Sequence, residues 1–174
     1  MKSTIPPTGT ERILGEKEII VSKTDTTGKL TYANKKFLEI SGYNENEVLG
    51  VQHNLIRHPD MPRVIFKFLW ERLVAREEIF AYVINLCKEG DHYWVLAHVT
   101  PSLTEDGTIL GYHSNRRASD PSLVNNTIVP LYKKLRDIEQ KATSPKQGLV
   151  ASQSALTDII DEQGGNYDRW LFSL

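Results

Sequence analysis

The sequence predicts an α+β chain: a five-stranded antiparallel sheet with its helices gathered on one face, followed by a C-terminal helical extension. Three observations carry this. Two short strand-like runs precede residue 34 and three longer ones follow residue 78, the stretch between them has helical spacing, and beyond residue 118 only helical patterning remains. The resulting order, β-β-α-α-α-β-β-β, does not alternate strand with helix, which excludes a parallel α/β sheet.

Residues 1–16 are polar, contain Pro6, Pro7 and Gly9, and show no period, so they read as a mobile arm or cap. In 18–23 the branched residues Ile19, Ile20 and Val21 make a strand, Thr26-Thr27-Gly28-Lys29 a turn, and Leu30-Thr31-Tyr32-Ala33 a second strand. Asn34 is placed to cap a short helix marked by Phe37, Leu38 and Ile40 and stopped by Gly42, and 45–49 adds another turn before Gly50. The stretch 51–62, with Asn54, His58-Pro59-Asp60 and Pro62, is a connection. Val64, Ile65, Phe68, Leu69, Arg72 and Leu73 then space an amphipathic helix to about Ala75. Strands at 79–87, 92–103 and 109–116 are separated by Lys88-Glu89-Gly90-Asp91 and Glu105-Asp106-Gly107, which predicts an antiparallel meander. A helix capped by Ser119 or Asp120, with Pro121 in its first turn, runs to about residue 142 and is kinked or divided at Pro130. Residues 143–148 read as a linker, 149–162 as a second terminal helix, and 167–174 as an apolar tail. The expected organisation is an arm at 1–16, a core domain at 17–118, a flanking helix at 119–142, and the linker, helix and tail at 143–174.

The balance of 21 basic and 22 acidic residues gives no overall attraction to nucleic acid or anionic lipid. Cys87 is the sole cysteine, which excludes an intramolecular disulfide and a cysteine-built zinc site and fits a reducing compartment. No window approaches the roughly 20 apolar residues of a membrane span, and the N-terminus lacks a secretory pattern, so a cytoplasmic protein is expected. There is no Gly-rich phosphate loop, no His-Glu-x-x-His, no Gly-x-Ser-x-Gly and no kinase signature, so no enzyme is expected.

Tyr32-Ala33-Asn34 with Phe37, then Ser41-Gly42-Tyr43 and Glu47-Val48-Leu49-Gly50, resemble the start of a PAS domain. The run His53-Asn54-Leu55-Ile56-Arg57-His58-Pro59-Asp60-Met61-Pro62 and the run Gly90-Asp91-His92-Tyr93-Trp94-Val95 resemble the aerotaxis-receptor (Aer) branch of that family, which binds FAD. The resemblance extends over about residues 17–135. It implies a sensor domain with FAD in the concave face of the sheet, read out through the domain's ends. The usual receptor continues into a membrane anchor and a signalling rod. Neither stands in this sequence, so reporting in trans to a signalling protein, with a homodimer as the expected assembly, is the corresponding expectation.

A flavin site needs an apolar slot, hydrogen bonds for the ring edge, and neutralisation of a pyrophosphate. The candidates are Phe66, Trp70 and Trp94 as walls, Asn34, Asn85 and Ser114 as hydrogen-bonding groups, and His53, Arg57 and His58 on the connection, with Asp60 as support. Each has a structural reading beside the functional one. The aromatic residues also suit core packing. Asp60 also suits a helix cap paired with Arg57. Asn85 shares a face with Val83 and Cys87, where an amide needs a partner that a ligand edge provides. Two further classes stay open. One is a haem-binding gas sensor ligated by one of His53, His58, His92, His98 or His113; the other is a cofactor-free interaction module that uses the arm, the sheet or the tail with Trp170, Leu171 and Phe172.

Overall fold

The computed structural model describes residues 5–174. Residues 1–4 of the expected arm lie outside the described residues. The described residues divide into two compact units, one of residues 5–58 and 72–119 and one of residues 59–71 and 120–174.

The first unit is built on five antiparallel strands: β1 (Ile20–Thr24), β2 (Leu30–Ala33), β3 (Ile79–Leu86), β4 (His92–Leu103) and β5 (Ile109–Ala118), in the spatial order β2-β1-β5-β4-β3. The β1–β2 hairpin and the β3–β4–β5 meander form as expected, and β1 and β5, far apart in sequence, join them at the centre. After β2 come α1 (Lys35–Ser41), α2 (Glu45–Val48) and a 3-10 turn at His53–Ile56. Gly42 ends α1 in the left-handed region at φ 77°, which a side chain disfavours. The 3-10 turn falls within the stretch read as a plain connection, and it runs on to Arg57, whose backbone bridges to Asn85 of the edge strand β3.

Part of the arm is ordered on the β3–β4 turn. Thr8 N donates to Gly90 O (2.8 Å), His92 N to Thr10 O (2.9 Å) and Arg12 N to His92 O (2.7 Å). Arg12 also pairs with Glu89 (2.9 Å) and Asp91 (3.0 Å) and donates to Ile40 O (3.0 Å) at the end of α1. A strap of polar residues is held by the backbone groups and charges of the turn, a partnership without a local sequence signal.

The second unit contains most of α3 (Arg63–Val74) and the C-terminal helices. α4 (Pro121–Leu123), a π-helical turn (Val124–Ile128) and α5 (Val129–Lys141) replace the single expected helix. Pro130 lacks the N–H that would continue an α-helical ladder, and the wider turn falls just before it, so the expected division at this residue is observed. Asp120 caps the start, accepting from Ser122 N at 2.7 Å.

The linker expected at 143–148 is instead the start of α6 (Pro145–Glu162), with Ser144 as N-cap and Pro145 in the first turn. Gly148 is a packing residue: a Cβ there would lie 2.5 Å from Glu139 O, so only glycine permits this approach of α6 to α5. Glu139 in turn accepts from Arg63 N (3.0 Å) and Val64 N (2.9 Å), capping α3 from a distant part of the chain. The apolar tail forms α7 (Tyr167–Leu171), buries Tyr167, Trp170 and Leu171, and sets Tyr167 against Phe68 at 4.6 Å between centroids, with the ring planes tilted by 60°.

Candidate functional site

Directly opposed residues of an antiparallel sheet share a face. The register pairs Ser22 with Ala33 and with Ser114, Arg116 with Ile20 and with Ala97, Ala97 with Ala81, Val95 with Val83, and Tyr93 with Asn85. One face of the sheet therefore carries Ile20, Ser22, Ala33, Ala81, Val83, Asn85, Tyr93, Val95, Ala97, Ser114 and Arg116. Small alanines and serines stand there beside the branched Ile20, Val83 and Val95, with the polar groups among them.

Four side-chain atoms on this face are buried without a hydrogen-bond partner: Asn85 Nδ2, Tyr93 Oη, Ser114 Oγ and Arg116 Nη1. Buried polar groups are almost always paired, so such a concentration on one face makes it the candidate place for a ligand or ordered water to pair them. The other guanidinium nitrogen of Arg116 donates to Ser22 Oγ (3.0 Å) and His53 Nε2 (2.5 Å), and the ring of Phe37 lies 5.8 Å from its Cζ. Loss of hydration, and then the charge of Arg116, lower the His53 pKa to about 3, so its imidazole is neutral and Nε2 accepts. Burial lowers the Arg116 pKa and raises that of Tyr93.

The structure distributes the expected residues unevenly. Asn85 and Ser114 stand on the inner face, and His53 reaches it through Arg116. Asn34 is committed to the backbone: its Oδ1 accepts from Val21 N (3.0 Å) and Phe37 N (3.0 Å), and its Nδ2 donates to Ile19 O (2.9 Å). His58 is buried and meets His92 edge-to-face at 5.7 Å. Arg57 borders the site through its backbone bridge to Asn85.

Trp94 stands apart from them. It pairs with Ile84, so it lies on the opposite face from Asn85 and Ser114, because its neighbour Tyr93 takes the inward position. Asp60, Phe66 and Trp70 belong to the second unit. There Asp60 pairs with Arg136 at 2.5 Å, while the first N–H groups of α3 are taken by Glu139, which replaces the expected cap by Asp60. Phe66 is partly buried, and Trp70 is 40% exposed.

Two of the histidines weighed as haem ligands point away from the inner face. His98 pairs across the sheet with Asn115, is stacked on Phe80 at 4.1 Å and bonds Glu78 at 2.6 Å, and His113 bonds Asn115 at 3.2 Å. Cys87 donates to Ile40 O (3.2 Å), and burial pushes its pKa up to about 11, which makes it an inert thiol. Arg116, Tyr93 and Ser22 were absent from the sequence-based set. Alternation through Tyr112, Ser114 and Arg116 was the available signal for the first of them.

A sequence model of the PAS fold matches residues 30–116, half of the chain. The chain belongs to the PAS family. Its PAS domain is similar to the aerotaxis receptor of Escherichia coli (strain K12), 42% identical over 123 residues that make up 70% of this chain and 24% of the receptor. It is also similar to the nitrogen fixation regulatory protein of Klebsiella pneumoniae, 28% identical over 102 residues, 59% of this chain and 21% of that protein. The chain thus spans about a quarter or less of the length of these relatives.

Among solved structures, the light-oxygen-voltage domain of a flavin-analogue study superposes with a TM-score of 0.56 at 18% identity, covering 67% of this chain and 87% of that one. The dark structure of the blue-light photoreceptor Aureochrome1 LOV gives 0.53 at 19%, covering 74% and 99%. At such identities the likeness establishes the PAS fold alone. No helix among the described residues is long and apolar enough to cross a membrane.

Proposed function

We propose that this PAS domain is a sensor that holds FAD against the inner face of its sheet and passes a redox or oxygen signal to a partner protein. The observation that carries the reading is the set of unpartnered buried atoms on that face, Asn85 Nδ2, Tyr93 Oη, Ser114 Oγ and Arg116 Nη1. These groups fit a flavin, whose ring edge is rich in carbonyl oxygens and ring nitrogens, and the small residues Ala33, Ser22, Ala97 and Ala81 suit a flat ligand. Bound FAD would supply a store of electrons whose oxidised and reduced forms differ in charge and hydrogen bonding.

Asn85 is the residue through which such a difference reaches the backbone. Its amide offers a donor and an acceptor, so it can re-pair when a ligand edge changes from acceptor to donor. Its own backbone bridges to Arg57, which follows the turn carrying His53. Re-pairing at Asn85 is thereby coupled to residues 53–58 at the boundary of the unit. The similarity to an aerotaxis receptor supports the signalling role. In this reading the domain catalyses no reaction, works in the cytoplasm as a homodimer, and acts in trans on its partner.

The test is reconstitution. The apo-protein, incubated with FAD and passed through a desalting column, should keep a flavin absorption band at about 450 nm. A colourless protein fraction after an excess of FAD would reject the reading.

A further inference from the structure

The most unusual group on the inner face is a buried cation with no acid beside it. Arg116 is 3% exposed, and both side-chain partners of its occupied nitrogen, Ser22 and His53, are neutral. The Tyr93 hydroxyl is kept protonated by burial, the Phe37 ring offers only its π face, and no carboxylate among the described residues pairs with Arg116. Its Nη1 has no partner at all. A buried, uncompensated guanidinium is costly, and an anion placed at the open nitrogen offsets that cost.

We propose that Arg116 is the charge-binding residue of the inner face: its open Nη1 takes the negatively charged edge of a bound ring, so that the site holds reduced, anionic flavin more tightly than oxidised, neutral flavin. This rests on the flavin reading and assigns the residue that makes the site respond to redox state. Reduction by an external two-electron donor, dithionite in the test below, adds two electrons and one proton to the oxidised ring and leaves one negative charge. Arg116 supplies the countercharge without a proton of its own moving. The neutral Asn85 and Ser114 bond either form of the ring, whereas Arg116 distinguishes them by charge. His53, held neutral, keeps the other arm of the fork aimed while adding no negative charge that would compete with the ligand.

The test measures Kd for oxidised and dithionite-reduced FAD and riboflavin in the wild type and in Arg116→Gln, with the melting temperature of each apo-protein. The variant should bind the oxidised flavins within about threefold of the wild type and the reduced ones 10- to 100-fold more weakly, the range of a charge-assisted hydrogen bond. A tenfold change corresponds to a potential lowered by about 30 mV for a two-electron couple. Because an unpaired buried charge has been removed, the apo variant should melt no lower than the wild type. An unchanged reduced-to-oxidised ratio, with lower apo stability, would make Arg116 a structural residue and overturn the proposal. Equal weakening of both forms of FAD with riboflavin unaffected would assign Arg116 to the pyrophosphate and also overturn it. Should Arg116→Gln fail to fold, the wild type decides: flavin bound at a potential less than about 30 mV above that of free FAD refutes the proposal, and one at least about 30 mV higher supports it. A wild type that binds no flavin defeats the underlying reading as well, whereas binding with an unchanged ratio defeats this inference alone.

Discussion

Replacing Asn34 by alanine removes three hydrogen bonds at the junction of β1, β2 and α1. The N-cap bond to Phe37 N (3.0 Å) is worth about 1 kcal/mol. The bond from Val21 N (3.0 Å) leaves a partly buried backbone donor unpaired when lost, a cost of about 1–2 kcal/mol, and the bond to Ile19 O (2.9 Å) adds about 0.5–1 kcal/mol. The sum is about 2.5–4 kcal/mol, and at roughly 2–4 °C per kcal/mol for a chain of this size the apo-protein should melt about 5–16 °C lower. Asn34→Asp keeps the acceptor for Val21 and Phe37 and places a carboxylate at the start of α1, so it should lose less than about half as much. Thermal melts of the apo forms by circular dichroism, followed by FAD titration of the Asp variant, separate a structural from a ligand-binding Asn34. An alanine variant that melts within about 1 °C of the wild type would refute the reasoning.

Further outcomes follow from other contacts. The folded state resists protonation of His53 down to about pH 3, whereas the unfolded chain takes that proton below about 6.5. Stability should therefore fall as pH drops through this window, by up to about 1.4 kcal/mol per unit; urea midpoints against pH should show it, and His53→Gln should remove that component. Gly148→Ala places a Cβ 2.5 Å from Glu139 O and should destabilise the second unit by about 1–3 kcal/mol, despite the helix propensity of alanine, as read by denaturant titration. Arg12→Ala removes the pairs with Glu89 and Asp91 and the bond to Ile40 O, so limited proteolysis should cut residues 5–16 faster while the melting temperature changes by no more than a few degrees.

Local signals were legible where one residue type served one local task. Asn34 before Phe37, the turns at 88–91 and 105–107, and the break at Pro130 all read correctly because capping, turn and proline chemistry act within a few residues. The face of Asn85 was legible by alternation with Val83. That of Trp94 was not, since adjacent aromatic residues, Tyr93 and Trp94, leave the phase of β4 open until its pairing with β3 fixes it. Arg116 was missed because a charged residue near a strand end suggests solvent, and only its pairing with Ile20 and Ala97 turns it inward. The reading of 143–148 as a linker weighed Pro and Gly as breakers, although Ser144-Pro145 also fits an N-cap followed by the first helical position. Glu139 capping α3 has no local signal, because donor and acceptor are brought together only by the packing of the second unit.

The central claim is that one face of the sheet, and not the other, holds the flavin. Titrating FAD into apo-protein, followed by flavin fluorescence, tests it with three variants. Asn85→Ala and Ser114→Ala should each weaken binding about tenfold or more, while His98→Ala, which removes a side chain from the opposite face, should leave the affinity within about twofold of the wild type. Saturable binding that is indifferent to Asn85 and Ser114, or equally sensitive to His98, would contradict the account.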